Sequence, residues 1–208
     1  MIYFITGHYG SGKSEFALNF AIKKNIKTIV DLDIVNPYFR SREVEKILNE
    51  NNIEIISSSL KNALGSDLPY ISHKAFLPFY SDDDAVYDIG GNEVGAKVLR
   101  QFKDKGTMYM VINVFREETS TKEGIIKMKM LIEEASGYKI EGFINNSNLL
   151  RETTKTNILY GETIIKSVSE KLNIPIVYTS YYEKLKIKEG EVLGTLIPLK
   201  LYLRKEWL

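Results

Sequence analysis

The stretch Gly7-His8-Tyr9-Gly10-Ser11-Gly12-Lys13-Ser14 decides the fold. It fits the pattern G-x-x-x-x-G-K-[ST], a phosphate-binding (Walker A) loop. Its glycines let the backbone turn and approach an anion with no Cβ in the way. Successive N–H groups then point inward as an anion nest. A helix that starts at the loop adds partial positive charge from its N-terminus. In such a loop Lys13 reaches the β- and γ-phosphates, and the Ser14 hydroxyl binds Mg²⁺. The binding set read from the loop is Gly7, Gly10, Ser11, Gly12, Lys13 and Ser14. His8 and Tyr9 fill variable positions and receive no catalytic role. The flanks supply the context the motif needs. Ile2–Thr6 is a short apolar run of strand type, and Lys13–Lys24 places Phe16, Ala17, Phe20 and Ala21 on one helical face.

Outward from the loop, strand-like and helix-like segments alternate. Thr28–Leu32, Ile53–Ile56, Ala85–Ile89, Met108–Phe115, Lys139–Asn145 and Ile176–Thr179 read as strands. Ser41–Asn51, Asn92–Phe102, Thr121–Ser136 and Thr153–Leu172 read as helices, the last closed by Asn173 before Pro175. Residues 57–82 are broken by Pro69 and Pro78 and read as small helices and loops. Val192–Leu203 reads as a closing strand or hairpin, with Trp207 packing at the end. This alternation predicts an α/β fold, a single-domain P-loop NTPase over residues 1–208, with a mostly parallel sheet covered by helices on both faces.

Composition narrows the function. The 208 residues include no cysteine, which excludes disulfides, thiol catalysis, zinc-thiolate sites and cysteine-held iron–sulfur clusters within this chain. There are 28 basic and 27 acidic residues, a formal net charge of +1, so the overall balance gives no strong nucleic-acid signal. No apolar stretch approaches the roughly 20 residues of a transmembrane helix. The first residues lack a basic region and run at once into the glycine motif, so they read as a strand and not a signal peptide. A cytoplasmic location is expected.

Acidic residues fall where strands end, which is where open α/β sheets bind ligands. Asp31-Leu32-Asp33 closes the second strand. Asp33 is read as the residue that holds Mg²⁺ through water or orients an attacking water, with Asp31 supporting it. Arg40, further along, reads equally as an anion contact or a surface arginine. Asp88-Ile89-Gly90-Gly91 reads as a Walker B aspartate and as D-x-x-G, in which Asp88 serves the metal and the Gly91 N–H meets a γ-phosphate. Asp82-Asp83-Asp84 lacks the spaced oxygens of a calcium loop and reads as a solvated turn. Gly142–Asn148 ends a late strand with amide side chains that suit the edge of adenine, with Asn146 as the base contact. A guanine-pairing N-K-x-D is absent, which favours ATP over GTP. The Thr179-Ser180-Tyr181 loop is placed to cover the base.

The order of these motifs is the phosphate loop, Asp31-x-Asp33 with Asn36-Pro37, Asp88-x-x-Gly91, then Asn145-Asn146-Ser147-Asn148. It resembles the partition and septum-site ATPases, the nitrogenase iron protein and the nucleotide-binding domains of cobyrinic acid diamide synthases, over roughly residues 1–180. The resemblance implies that Lys13 and Ser14 take the phosphate and magnesium positions, that Asp33 is the switch I aspartate, that Asp88 and Gly91 form switch II, and that Asn146 reads the base. It also implies an ATP-dependent homodimer and a protein partner exchanged on hydrolysis. Position 8 departs from the family. Partition-type members carry a second lysine there that reaches the partner's nucleotide, and the neutral imidazole of His8 does not reproduce a fixed ammonium charge.

Three functions fit these motifs. The first is a Mg²⁺-dependent ATPase that switches a protein partner. The second is a small-molecule kinase or ATP-dependent ligase similar to dethiobiotin synthetase, with Asn36–Arg42 and residues 57–82 forming the acceptor pocket. The third is a non-catalytic ATP-binding regulator or assembly factor.

Overall fold

The computed structural model describes residues 1–33, 42–57, 71–81, 83–91, 93–102 and 105–203. Among the described residues, eight strands form one sheet: β1 (Ile2–Thr6), β2 (Thr28–Asp31), β3 (Glu54–Ser57), β4 (Ala85–Asp88), β5 (Thr107–Ile112), β6 (Ile140–Asn145), β7 (Ile176–Tyr182) and β8 (Thr195–Leu199). Their spatial order is β3-β2-β4-β1-β5-β6-β7-β8. Every neighbouring pair is parallel. All the strands therefore deliver their carboxyl ends to one edge of the sheet, with β1 in the interior.

Side chains alternate across the strands, as the period of two requires. Phe4, Tyr87, Met108 and Met110 face one way, into a core shared with Val98, Leu99, Ile125, Ile132, Ile165 and Val168. Ile5, Val86, Val111 and Ile144 face the other way and pack on Phe16, Ala17, Phe20, Val44 and Leu48. Helices α1 (Lys13–Lys24) and α2 (Arg42–Glu50) thus cover one face. Helices α3 (Glu93–Lys97), α4 (Lys122–Ser136) and α5 (Lys155–Leu172) belong to the other. The near-continuous apolar strands follow from burial on both faces.

Local sequence sets the helix ends. Asn25 takes a left-handed φ of 56° after α1, and its N–H bonds to the Ala21 and Ile22 carbonyls. Thr121 caps α4 through the Gly124 N–H, and Gly137 closes it at φ 80°. Thr154 and Asn157 form a reciprocal capping box on α5, which ends at Asn173 with φ 54°.

The sequence reading and the structure differ in places. β8 bears out the closing strand of the two expected forms, and not the hairpin. It pairs parallel to β7, from Tyr178↔Thr195 to Tyr182↔Leu199. The connection between them has no α-helix, so the helical period that usually announces a parallel crossover is missing. The segment expected as one helix after β4 is a short α3 that tightens into a 3₁₀ turn, Val98–Gln101. Within residues 57–82, His73–Phe79 is a 3₁₀ helix around Pro78, as expected of a short helix, and the buried Tyr87 hydroxyl bonds its Ala75 carbonyl at 2.6 Å. Asn36-Pro37, Arg40, Ser41, residues 58–70, Asp82, Asn92 and Trp207 lie outside the described residues.

Helix α5 meets the turn after β6 with no room to spare. A Cβ built on Gly161 would lie 2.0 Å from Ser147 Oγ and 2.4 Å from Ser147 Cβ. Gly161→Ala should therefore destabilise the fold by about 1–3 kcal/mol through overpacking. Denaturant unfolding checks this, and an unchanged midpoint would contradict the close α5–β6 contact.

Candidate functional site

Strand register builds the site. Asp88, the last residue of β4, is level with Ile5 on one side and Asp31 on the other. The loop after β1 and the acidic ends of β2 and β4 therefore meet at the carboxyl edge. The loop turns through Gly7, Gly10 and Gly12, at φ of 149°, 75° and 85°. At Gly12 an added Cβ would come 2.3 Å from Asn146 Nδ2, so both conformation and space call for glycine. The Ser11 N–H closes a turn on the His8 carbonyl at 3.0 Å, and the Phe16 N–H on the Gly12 carbonyl starts α1 at 2.9 Å.

Lys13 and Asp33 are brought together. Both side chains are buried, and Lys13 Nζ lies 2.8 Å from Asp33 Oδ2. Asp31 supports this pair as expected, since its Oδ1 accepts the Asp33 N–H at 3.0 Å. Asp88 sits beside them, fully buried. Burial pushes its carboxyl up to about 6, against the opposing pull of the Lys13 ammonium and of Ser14, with the Asp33 charge adding to the rise. Among the described residues, neither Asp88 oxygen nor Ser14 Oγ has a hydrogen bond of normal geometry. Ser14 is near enough to favour the Asp88 carboxylate but does not close a bond to it.

Buried polar atoms without partners are costly and call for an explanation. A hydroxyl and a carboxylate left open beside the glycine loop could serve a Mg²⁺ ion that kept several waters and took the rest of its ligands from phosphate. The described residues contain no group of three or more His, Asp or Glu arranged to hold a metal, so they form no all-protein cage. Gly91 completes this side. A Cβ there would lie 2.8 Å from the Tyr9 nitrogen and 3.0 Å from the Gly7 oxygen, so the segment after β4 abuts the phosphate loop backbone to backbone.

Two clefts run along the loop. One lies beside Lys13 and Ser14. The other is the larger of the two and is walled by Asn146, Ser180, Tyr181, Ile158 and Leu201. Gly10, Gly12 and Glu15 line both, so the clefts adjoin. The larger is mostly apolar with a few polar groups, the usual character of a small-molecule pocket. Asn146 is buried in it and already engaged: Nδ2 donates to the Ser11 carbonyl at 2.7 Å, and Oδ1 accepts from Ser180 Oγ at 2.6 Å. One N–H and one lone pair of the amide remain. Asn146 thus ties the phosphate loop to β7, because Thr179-Ser180-Tyr181, expected as a loop after the last strand, lies within that strand and pairs with β8.

Sequence reasoning missed three contacts. Arg116 Nε donates to the Gly10 carbonyl at 3.0 Å. His8 Nδ1 lies 3.4 Å from Glu118 Oε2, an ion pair when the imidazole is protonated and too loose for a normal hydrogen bond. Glu15, on the first turn of α1, is buried and lines both clefts. Arg116 and Glu118 reach the loop because β5 lies beside β1, and no motif announces such a neighbour.

No protein-family model matches the chain, and no curated protein matches it. Solved structures do. A cell division protein FtsY from Thermotoga maritima is 18% identical with a TM-score of 0.56, over 88% of this chain and 62% of that one. A nucleotide-binding protein from Archaeoglobus fulgidus, in complex with ADP, is 15% identical with a TM-score of 0.51, over 91% of this chain and 83% of that one. The chain therefore spans 62% of the FtsY chain it matches. At this identity the likeness shows the fold alone, a parallel α/β sheet covered by helices on both faces. No described helix is long and apolar enough to cross a membrane.

The raised Asp88 pKa has a signed consequence without ligand or metal. A carboxyl whose folded value lies above its unfolded one favours folding while protonated, and that contribution is lost as pH rises through the folded value. The stability advantage of Asp88→Asn over the unmodified protein should therefore grow between about pH 4 and pH 7, reaching about 3 kcal/mol. Denaturant titrations across this range check it, and a flat difference would contradict the buried, unpartnered carboxyl.

Proposed function

We propose that this protein binds ATP with Mg²⁺ at the phosphate loop, hydrolyses it, and uses the change of nucleotide state to switch a protein partner. The observation that carries this reading is the buried Lys13–Asp33 pair next to the unpartnered Ser14 hydroxyl and Asp88 carboxylate. These groups form a charge arrangement that a phosphate chain and a divalent cation would complete. The ADP-bound Archaeoglobus fulgidus neighbour lends support at the level of fold. The kinship with partition and septum-site ATPases, inferred from motif order, is part of the proposal, as is the preference for ATP over GTP.

Entry of the phosphates gives Lys13 a second anion. The ammonium turns from Asp33 to the β- and γ-phosphates and stabilises the charge that develops on the transferring phosphoryl group. Asp33, still held through its N–H by Asp31, would then orient the attacking water. Ser14 and Asp88 would hold Mg²⁺, which when bound neutralises phosphate charge. Gly91 abuts Gly7 and Tyr9; its N–H would follow the terminal phosphate, and loss of that phosphate would release the segment after β4. Tyr9, 57% exposed at the loop tip, offers the partner a surface that moves with the nucleotide. The kinase or ligase reading rests on Asn36–Arg42 and residues 57–82. Most of those lie outside the described residues, and no observation favours it.

Lys13→Ala should weaken ATP binding by about 100-fold or more, read by equilibrium titration. Unchanged affinity would remove the loop from the site. Asp33→Asn should leave binding unchanged or tighter, because Lys13 no longer has to leave a carboxylate, while hydrolysis slows by about 100-fold. A normal rate in that variant would exclude Asp33 from the chemistry. The ATP-dependent dimer implied by the resemblance is read by light scattering with a slowly hydrolysed ATP analogue and Mg²⁺. Doubled mass supports it, and unchanged mass removes the dimer from the proposal.

A further inference from the structure

The C-terminal segment after β8 returns to the phosphate-loop helix and is fastened there by two buried polar side chains. Glu15 Oε1 accepts the Tyr202 N–H at 2.8 Å, and Oε2 accepts the Leu203 N–H at 3.0 Å. One turn further along α1, Asn19 makes a two-way contact with Lys200: Nδ2 donates to its carbonyl at 3.0 Å, and Oδ1 accepts its N–H at 2.9 Å. Asn19 Nδ2 also donates to the Glu15 carbonyl at 2.8 Å. This puts Leu201 in the wall of the larger cleft and Leu203 in the wall of the cleft beside Lys13 and Ser14.

A buried carboxylate one residue after Ser14 is a poor neighbour for phosphates unless its charge is met. Here backbone N–H groups of the C-terminal segment meet it. The segment therefore does two things for an anion in the loop: it satisfies the nearest buried negative charge on α1, and it closes apolar walls around both clefts. Undocking it would remove the Tyr202 and Leu203 N–H donors from Glu15, which keeps the Asn19 amide at 3.3 Å, and would open the pocket to water. Two events that each improve the surroundings of the other are thermodynamically linked, and the linkage is reciprocal.

We propose that Glu15 and Asn19 are positioning residues that make Lys200–Leu203 a wall of the nucleotide site, so that nucleotide and the C-terminal segment bind cooperatively. This rests on nucleotide binding at the phosphate loop.

Amide hydrogen exchange on the full chain, read at Tyr202 and Leu203 with and without Mg·ATP analogue, tests it together with equilibrium ATP binding. In the unmodified protein, nucleotide should slow exchange at both amides by about tenfold or more. Glu15→Gln should speed exchange at these amides in the free protein and weaken ATP binding about tenfold. A role through charge alone predicts the opposite sign for binding, since the variant removes a negative charge near the phosphates. Asn19→Ala, which changes no charge, should weaken ATP binding likewise, and Asn19→Gln should restore part of it. Nucleotide that binds with no change in exchange at Tyr202 and Leu203 would overturn this inference and leave the proposed function standing. So would variants that loosen the segment at unaltered ATP affinity. An unmodified protein that binds no nucleotide would overturn both.

Discussion

The ion pair between Lys13 and Asp33 organises the carboxyl edge of the sheet. A lysine ammonium in a phosphate loop is buried before any phosphate arrives, and a buried charge without a partner is strongly destabilising. Asp33 supplies that partner at 2.8 Å. Asp31 fixes the turn that presents it, and the register of β2 with β4 fixes where Asp31 stands relative to Asp88. The same pair sets the electrostatics of Asp88, which feels an attracting ammonium on one side and a repelling carboxylate on the other.

The arrangement is satisfied for Lys13 and Asp33 and open for Ser14 and Asp88. Satisfied and open groups lie side by side, so an incoming polyanion with a divalent cation would exchange partners and not merely fill space. The walls around the clefts come from distant parts of the chain. Asn146 and Ser180 tie β7 to the phosphate loop, Arg116 and Glu118 approach from the loop after β5, and Lys200–Leu203 return from β8.

Much of this was legible in the sequence because it is local. The phosphate loop, the strand before it and the helix after it lie within a short run whose spacing carries the geometry. The acidic strand ends followed from the rule that ligands sit beyond the carboxyl ends of an open parallel sheet. β8 was not legible as a parallel strand, because the segment joining it to β7 lacks a helical period. The partners of Asn146 were not legible either. Its bond to Ser11 spans 135 positions in the chain, and that of Arg116 to Gly10 spans 106. Such contacts depend on which strands are neighbours, and composition and periodicity do not encode strand order. No motif singles out Glu15 in the sequence. Its partners, Tyr202 and Leu203, follow a strand whose direction the sequence left open.

The central claim is that the loop from Gly7 to Ser14 holds a nucleoside triphosphate together with a divalent cation. Calorimetric titration of the unmodified protein with ATP, with and without Mg²⁺, tests it most directly. The account predicts one site per chain, tighter with Mg²⁺ than without, and weaker binding of GTP. No heat and no saturation with either nucleotide would contradict it, and binding indifferent to Mg²⁺ would contradict the role given to Ser14 and Asp88.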